Sequence, residues 1–166
     1  NSLGHVSGAL FTLGGGALSF SGTQTFDNAT VQTTGTGSLL VGRNSSLTLG
    51  ASVVVSGGSA VLGGSFPSQG TNRILTNNGL IGASPSAAGS YSIGPDTFTN
   101  NGTVQGAGVT VNTNSMTNTG IIRSVGTVSV AGRRAAFSSA LIIRSLRNSA
   151  ANTRRDCASG VPYFSV

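Results

Sequence analysis

The chain has 166 residues, enough for one domain or one segment of a longer fibre. Gly 26, Ser 25, Thr 19 and Asn 13 fill 83 positions, while Lys, Glu and Trp are absent and charged residues are 7% against a usual ~25%. This excludes an ordinary helical or α/β enzyme, whose surface helices rely on Glu and Lys. The apolar share of 37% excludes a classically disordered chain.

Two kinds of repeat run along residues 1–132. The first is an alternating triad, apolar–Thr/Ser–apolar. It appears at Phe11-Thr12-Leu13, Leu18-Ser19-Phe20, Leu47-Thr48-Leu49, Val109-Thr110-Val111 and Val128-Ser129-Val130. Each has the period-2 pattern of a short strand with two residues inward and one outward. Thr12-Leu13-Gly14 recurs as Thr48-Leu49-Gly50, a separation that reads as two coils of a stack.

The second repeat is a turn phrase. Leu75-Thr76-Asn77-Asn78-Gly79-Leu80-Ile81 matches Phe98-Thr99-Asn100-Asn101-Gly102-Thr103-Val104 and Met116-Thr117-Asn118-Thr119-Gly120-Ile121-Ile122. Phe26-Asp27-Asn28-Ala29-Thr30-Val31 is a shorter version. Repeats of some 20 residues, with short strands and no helix signal, predict an all-β chain. The fold expected is a right-handed parallel β-helix, a solenoid of about six to seven coils. Asn77, Asn100 and Asn118 should stack as an amide ladder. Asn before Gly should supply left-handed or otherwise tight corners. Stacked coils place like residues about 4.8 Å apart, where like charges repel, so Ser and Thr replace Lys and Glu. The competing fold, an antiparallel sandwich, predicts hairpins instead.

Composition changes near residue 132. Residues 133–166 hold six Arg against Asp156 and a single Gly. This segment reads as an atypical C-terminal cap or tail, with a weak helix signal over 135–147. Leu141-Ile142-Ile143 reads equally as one more strand. The chain begins at Asn1 without Met or a basic-then-apolar leader, which predicts a mature or excised piece. No apolar run approaches the ~18 residues that cross a bilayer.

Chemistry-bearing residues are sparse. The acids are Asp27, Asp96 and Asp156, His5 is the sole histidine and Cys157 the sole cysteine. No catalytic, cofactor-binding or metal-binding residue is assigned. Polysaccharide-cleaving chemistry needs paired carboxylates or a base beside metal-binding acids, and Asp27 and Asp96 read as turn residues. Gly14-Gly15-Gly16 lacks the following helix and Lys of a phosphate loop. Thr23-Gln24-Thr25 resembles one rung of an ice-binding Thr array, and no recurrence in register is expected. The three glycosylation sequons at Asn28, Asn44 and Asn101 match the number expected by chance in so Asn- and Ser/Thr-rich a chain.

Leu18-Ser19-Phe20-Ser21-Gly22-Thr23-Gln24-Thr25-Phe26-Asp27-Asn28-Ala29-Thr30-Val31, Ser46-Leu47-Thr48-Leu49-Gly50 and the Thr-Asn-Asn-Gly phrases resemble the β-strand repeats of bacterial surface proteins. These are autotransporter passengers and filamentous-haemagglutinin-like exoproteins. The resemblance covers roughly residues 3–132 and does not reach the Arg-rich tail. It implies a secreted or cell-surface, non-enzymatic structural or adhesive segment, with no residue inheriting a role. Free strand edges at the ends of the stack predict end-to-end self-association. Cell-surface or matrix polysaccharide is the other partner expected, and a degenerate polysaccharide-active β-helix is the competing function.

Overall fold

The computed structural model describes residues 8–64, 72–82 and 89–137. Every element among them is a β-strand, and every strand pair is parallel. The strands are β1 (Ala9–Leu13), β2 (Ala17–Phe20), β3 (Thr23–Phe26), β4 (Ala29–Val41), β5 (Ser46–Leu49), β6 (Val54–Gly63), β7 (Ile74–Asn77), β8 (Leu80–Ile81), β9 (Ser90–Ile93), β10 (Thr97–Asn100), β11 (Thr103–Asn118) and β12 (Ile121–Phe137). The hairpins of an antiparallel sandwich are therefore absent from the described residues.

The registers sort the strands into three faces. On the first, Ala9 pairs with Ala29, Thr30 with Val54, Val54 with Leu80, Leu80 with Thr103, and Thr103 with Ile121. On the second, Leu18 lies beside Leu39, which is followed by Leu62, Ile93, Val111 and Val130. On the third, Phe26 is followed by Leu49, Asn77, Asn100, Asn118 and Phe137. The chain passes the three faces in order and then repeats the circuit. The longer strands β4, β6, β11 and β12 bend round corners, with register shifts between Thr33 and Thr36 and between Gly106 and Gly108.

Alternation builds the interior. In β5, β7 and β10, residues at alternate positions are buried and half-buried. Leu47, Leu49, Leu75, Phe98 and Met116 point inward from the third face, and Val31, Val55, Ile81, Val104 and Ile122 from the first. A single circuit cannot enclose this apolar stripe; stacking makes it one continuous core. Circuit length varies because corners absorb insertions. Stacked partners are 18 residues apart between Asn100 and Asn118, and 31 apart between Ser59 and Ser90.

Several expectations are corrected by this geometry. Thr12 sits on the first face opposite Gln32, whereas Thr48 sits on the third face opposite Thr25 and Thr76. Their shared Thr-Leu-Gly is thus a motif of any face rather than a two-coil period. The left-handed asparagines are Asn28, Asn44 and Asn72, not Asn78 and Asn101, which precede Gly in the turn phrase. Gly102 and Gly120 in the turn phrase also avoid positive φ. They are needed because of close stacking: a Cβ at Gly102 would collide with the Gly79 carbonyl oxygen, and one at Gly120 with that of Gly102. β12 runs through the composition change at 132, so Ala135–Phe137, read as the start of a helix, are strand. The remainder of that helix reading and Leu141-Ile142-Ile143 lie outside the described residues.

Candidate functional site

The turn phrase builds the most ordered polar feature. Asn77 Nδ2 donates to Asn100 Oδ1 at 2.8 Å, and Asn100 Nδ2 donates to Asn118 Oδ1 at 2.7 Å. All three side chains are fully buried. The ladder ends are satisfied by backbone: Gly79 N–H donates to Asn77 Oδ1 at 3.2 Å, and Asn118 Nδ2 donates to the Gly120 carbonyl at 3.1 Å. Outside the same corner runs an exposed companion ladder. Asn101 Nδ2 donates to Asn78 Oδ1 at 2.9 Å, and Thr119 Oγ1 donates to Asn101 Oδ1 at 2.8 Å. The spacing of the phrase made the inner ladder legible; the outer one depends on which residue follows each inner amide.

The two described acids do not meet. Asp27 and Asp96 occupy different corners and different circuits. Asp27 Oδ1 accepts from Asn28 N–H at 2.8 Å and from Ser52 N–H at 3.1 Å. Asp96 is more embedded. Its Oδ2 accepts from Arg73 N–H at 2.9 Å and lies 4.0 Å from Arg73 Nε, while Oδ1 accepts from Asn114 Nδ2 at 3.1 Å. Arg73 belongs to the circuit before and Asn114 to the circuit after. Asp27 makes the local contact expected of a turn residue, to Asn28 N–H, and adds one to the next circuit; Asp96 ties neighbouring circuits together, a role set by register and invisible in sequence spacing. Asp156, His5 and Cys157 lie outside the described residues.

Two further polar groups were missed in sequence. Gln105 is buried, its Nε2 donating to the Gly82 carbonyl at 2.8 Å while its Oε1 accepts from Arg123 Nε at 2.7 Å. Tyr91 is 1% exposed, and its hydroxyl has no hydrogen-bond partner among the described residues. Burial pushes its phenol above the ordinary value of 10.0, because the charged phenolate loses its water.

A recess of about 460 Å³ opens at the corner between the second and third faces. Leu40 and Val41 supply apolar lining, Ser19 a hydroxyl and Arg43 positive charge, while the charge of Arg73 is offset by Asp96. Among the described residues no cluster of three or more His, Cys, Asp or Glu stands close enough to hold a metal ion. No described helix is long and apolar enough to cross a membrane.

The third face carries the most regular outward surface. Thr25, Thr48, Thr76, Thr99 and Thr117 stand in one unbroken register column. Beside it, two positions back along each strand, run Thr23, Ser46, Ile74, Thr97 and Ser115. The expectation that Thr-x-Thr fails to recur in register is therefore corrected in part: the second threonine recurs at every rung, while the full Thr-x-Thr recurs only at Thr97-Phe98-Thr99. Variable corner lengths hide the alignment along the chain: the gaps between rungs differ, yet every rung lands over the last.

No family of known proteins, no curated protein and no solved structure matches the chain.

Proposed function

We propose that the chain is a right-handed parallel β-helix and serves as a non-enzymatic structural or adhesive segment, displayed outside a bacterial cell. The observation that carries this reading is the in-register parallel stacking of three faces through successive circuits. A stack of this kind is quasi-one-dimensional: each circuit touches only its neighbours, so length adds without new tertiary design. Its product is a stiff rod with long flat faces, suited to spacing and display. The resemblance to autotransporter passengers and filamentous-haemagglutinin-like exoproteins supports the extracellular placement.

The first circuit supports end-to-end association. Phe11, Phe20 and Phe26 are only half-buried there. These three rings, one from each face, gather at centroid distances of 5.5 Å for Phe11–Phe26 and 5.3 Å for Phe20–Phe26. Among the described residues no strand pairs with the outer edges of β1, β2 and β3, which offer backbone groups to a further strand.

Electron cryomicroscopy of the purified chain, with a fused marker domain, tests the rod and its handedness together. A left-handed winding, or a compact particle, sinks the architectural reading. Sedimentation over a wide concentration range tests association, and a monomer throughout removes the filament.

The recess between Arg43 and Arg73 favours a second reading, binding of an acidic polysaccharide. Its volume falls within the ~300–1,000 Å³ range of small-molecule sites, and the Arg43 guanidinium suits a carboxylate, Arg73 already facing Asp96. Titration with an oligouronate against Arg43→Ala tests it: saturable binding that the substitution removes supports this reading, and equal binding by both proteins ends it.

A further inference from the structure

We propose that the third face is an ice-binding surface, with crystalline water as its ligand. The inference rests on the two register columns and is independent of any adhesive role. Rungs repeat at about 4.8 Å along the stack, and the two outward positions of one strand lie about 6.6 Å apart. The product is a near-rectangular lattice of hydroxyl and methyl groups, five rungs long. Ice presents a periodic plane of oxygens, and a ligand periodic in two dimensions is best met by a periodic receptor.

Four features favour this occupant. First, no hydrogen bond within the described residues ties down the hydroxyls of Thr25, Thr48, Thr76, Thr99 or Thr117. Hydroxyls elsewhere, those of Thr33, Thr113 and Ser124, are committed to carbonyls. The column's hydroxyls are left for water. Second, threonine is β-branched and stiff at χ1, so ordering the lattice costs little side-chain entropy. Third, the five rungs carry no formal charge; the neutral face matches a neutral partner and holds no tightly bound ionic hydration shell. The sixth rung, with Arg134 opposite Ser115, ends the pattern. Fourth, no aromatic ring points outward from these rungs. The flat face of an insoluble polysaccharide, the other periodic ligand, would be met by such rings.

The other faces lack this order. The outward column of the first runs Leu10, Thr30, Val54, Leu80, Thr103 and Ile121. That of the second runs Ala17, Ser38, Val61, Ser92, Thr110 and Ser129. Each mixes sizes and polarities from rung to rung.

The test is thermal hysteresis and ice-crystal shaping by the purified chain, its fold checked by circular dichroism. The parent should shape ice, and Thr76→Lys, at the middle of the column, should abolish shaping. Thr110→Lys, exposed on the second face, should retain it. Ile74→Thr, which completes the interrupted column, should raise the hysteresis. A folded parent without effect on ice overturns the proposal. So does equal loss in the Thr76 and Thr110 variants, or adsorption to insoluble glucan with no effect on ice.

Discussion

The inner column at the end of each third-face strand is filled in two ways. In the early circuits Phe26 and Leu49 occupy it; later Asn77, Asn100 and Asn118 do. Backbone and register are the same, but the physics differs. Leu49 is held by dispersion and loss of water contact, which tolerate small shifts. The asparagines are held by a directional chain in which each amide satisfies the next. A buried amide is tolerable only while it is paired. The apolar half is forgiving and the polar half is all-or-none, so the upper ladder fixes register while the lower half mainly supplies burial.

Breaking the middle of the ladder has the largest expected effect. Asn100→Ala leaves Asn118 Oδ1 without its donor and Asn77 Nδ2 with only a 3.4 Å contact to the Thr103 carbonyl, and it opens a void. At ~1–3 kcal/mol for the orphaned oxygen, with the weakened Asn77 contact and the void added, the loss should be about 3–5 kcal/mol by urea denaturation. Leu49→Ala, one circuit before the ladder, removes only packing and should cost about 3 kcal/mol. If the two variants unfold at the same urea concentration, the proposed contrast fails.

A combined substitution sharpens the comparison. Converting Asn77, Asn100 and Asn118 together to Leu removes every member of the amide chain at once. Apolar replacement of both partners of a polar contact is often close to neutral. The triple variant should therefore be more stable than Asn100→Leu alone, a non-additivity measurable by thermal melting. A triple variant less stable than the single one would show that the ladder gives more than mutual satisfaction.

The smallest effect is expected at Tyr91, where a polar atom is buried without a described partner. Tyr91→Phe should leave stability unchanged or raise it by about 1 kcal/mol. The raised phenol pKa sets the sign of the pH response. The folded state holds the proton more tightly than the unfolded one, so the parent keeps full stability below pH 10.0 and loses it as pH rises through the folded value. Tyr91→Phe should lack that alkaline loss, as read from melting temperatures across alkaline buffers.

The sequence carried the interior well. Alternation in triads such as Leu47-Thr48-Leu49 set the inward face of each strand, because a strand has period 2 whatever it pairs with. The repeated Thr-Asn-x-Gly phrase placed the amide ladder, because matching phrases stack if the chain winds. The surface was less legible. Thr25, Thr48, Thr76, Thr99 and Thr117 look scattered along the chain, since corners of unequal length separate them.

What the sequence determined by itself is local: an all-strand chain, the alternation of its faces, and the absence of Lys and Glu that stacking like residues demands. Tertiary structure decided everything that depends on which circuit lies over which. It made Asp27 and Asp96 into clasps between circuits, required Gly102 and Gly120 for close stacking rather than for a left-handed turn, and aligned five threonines on one face. The reason is that side-chain direction is a property of the strand, whereas neighbourhood along the stack is the sum of every corner before it.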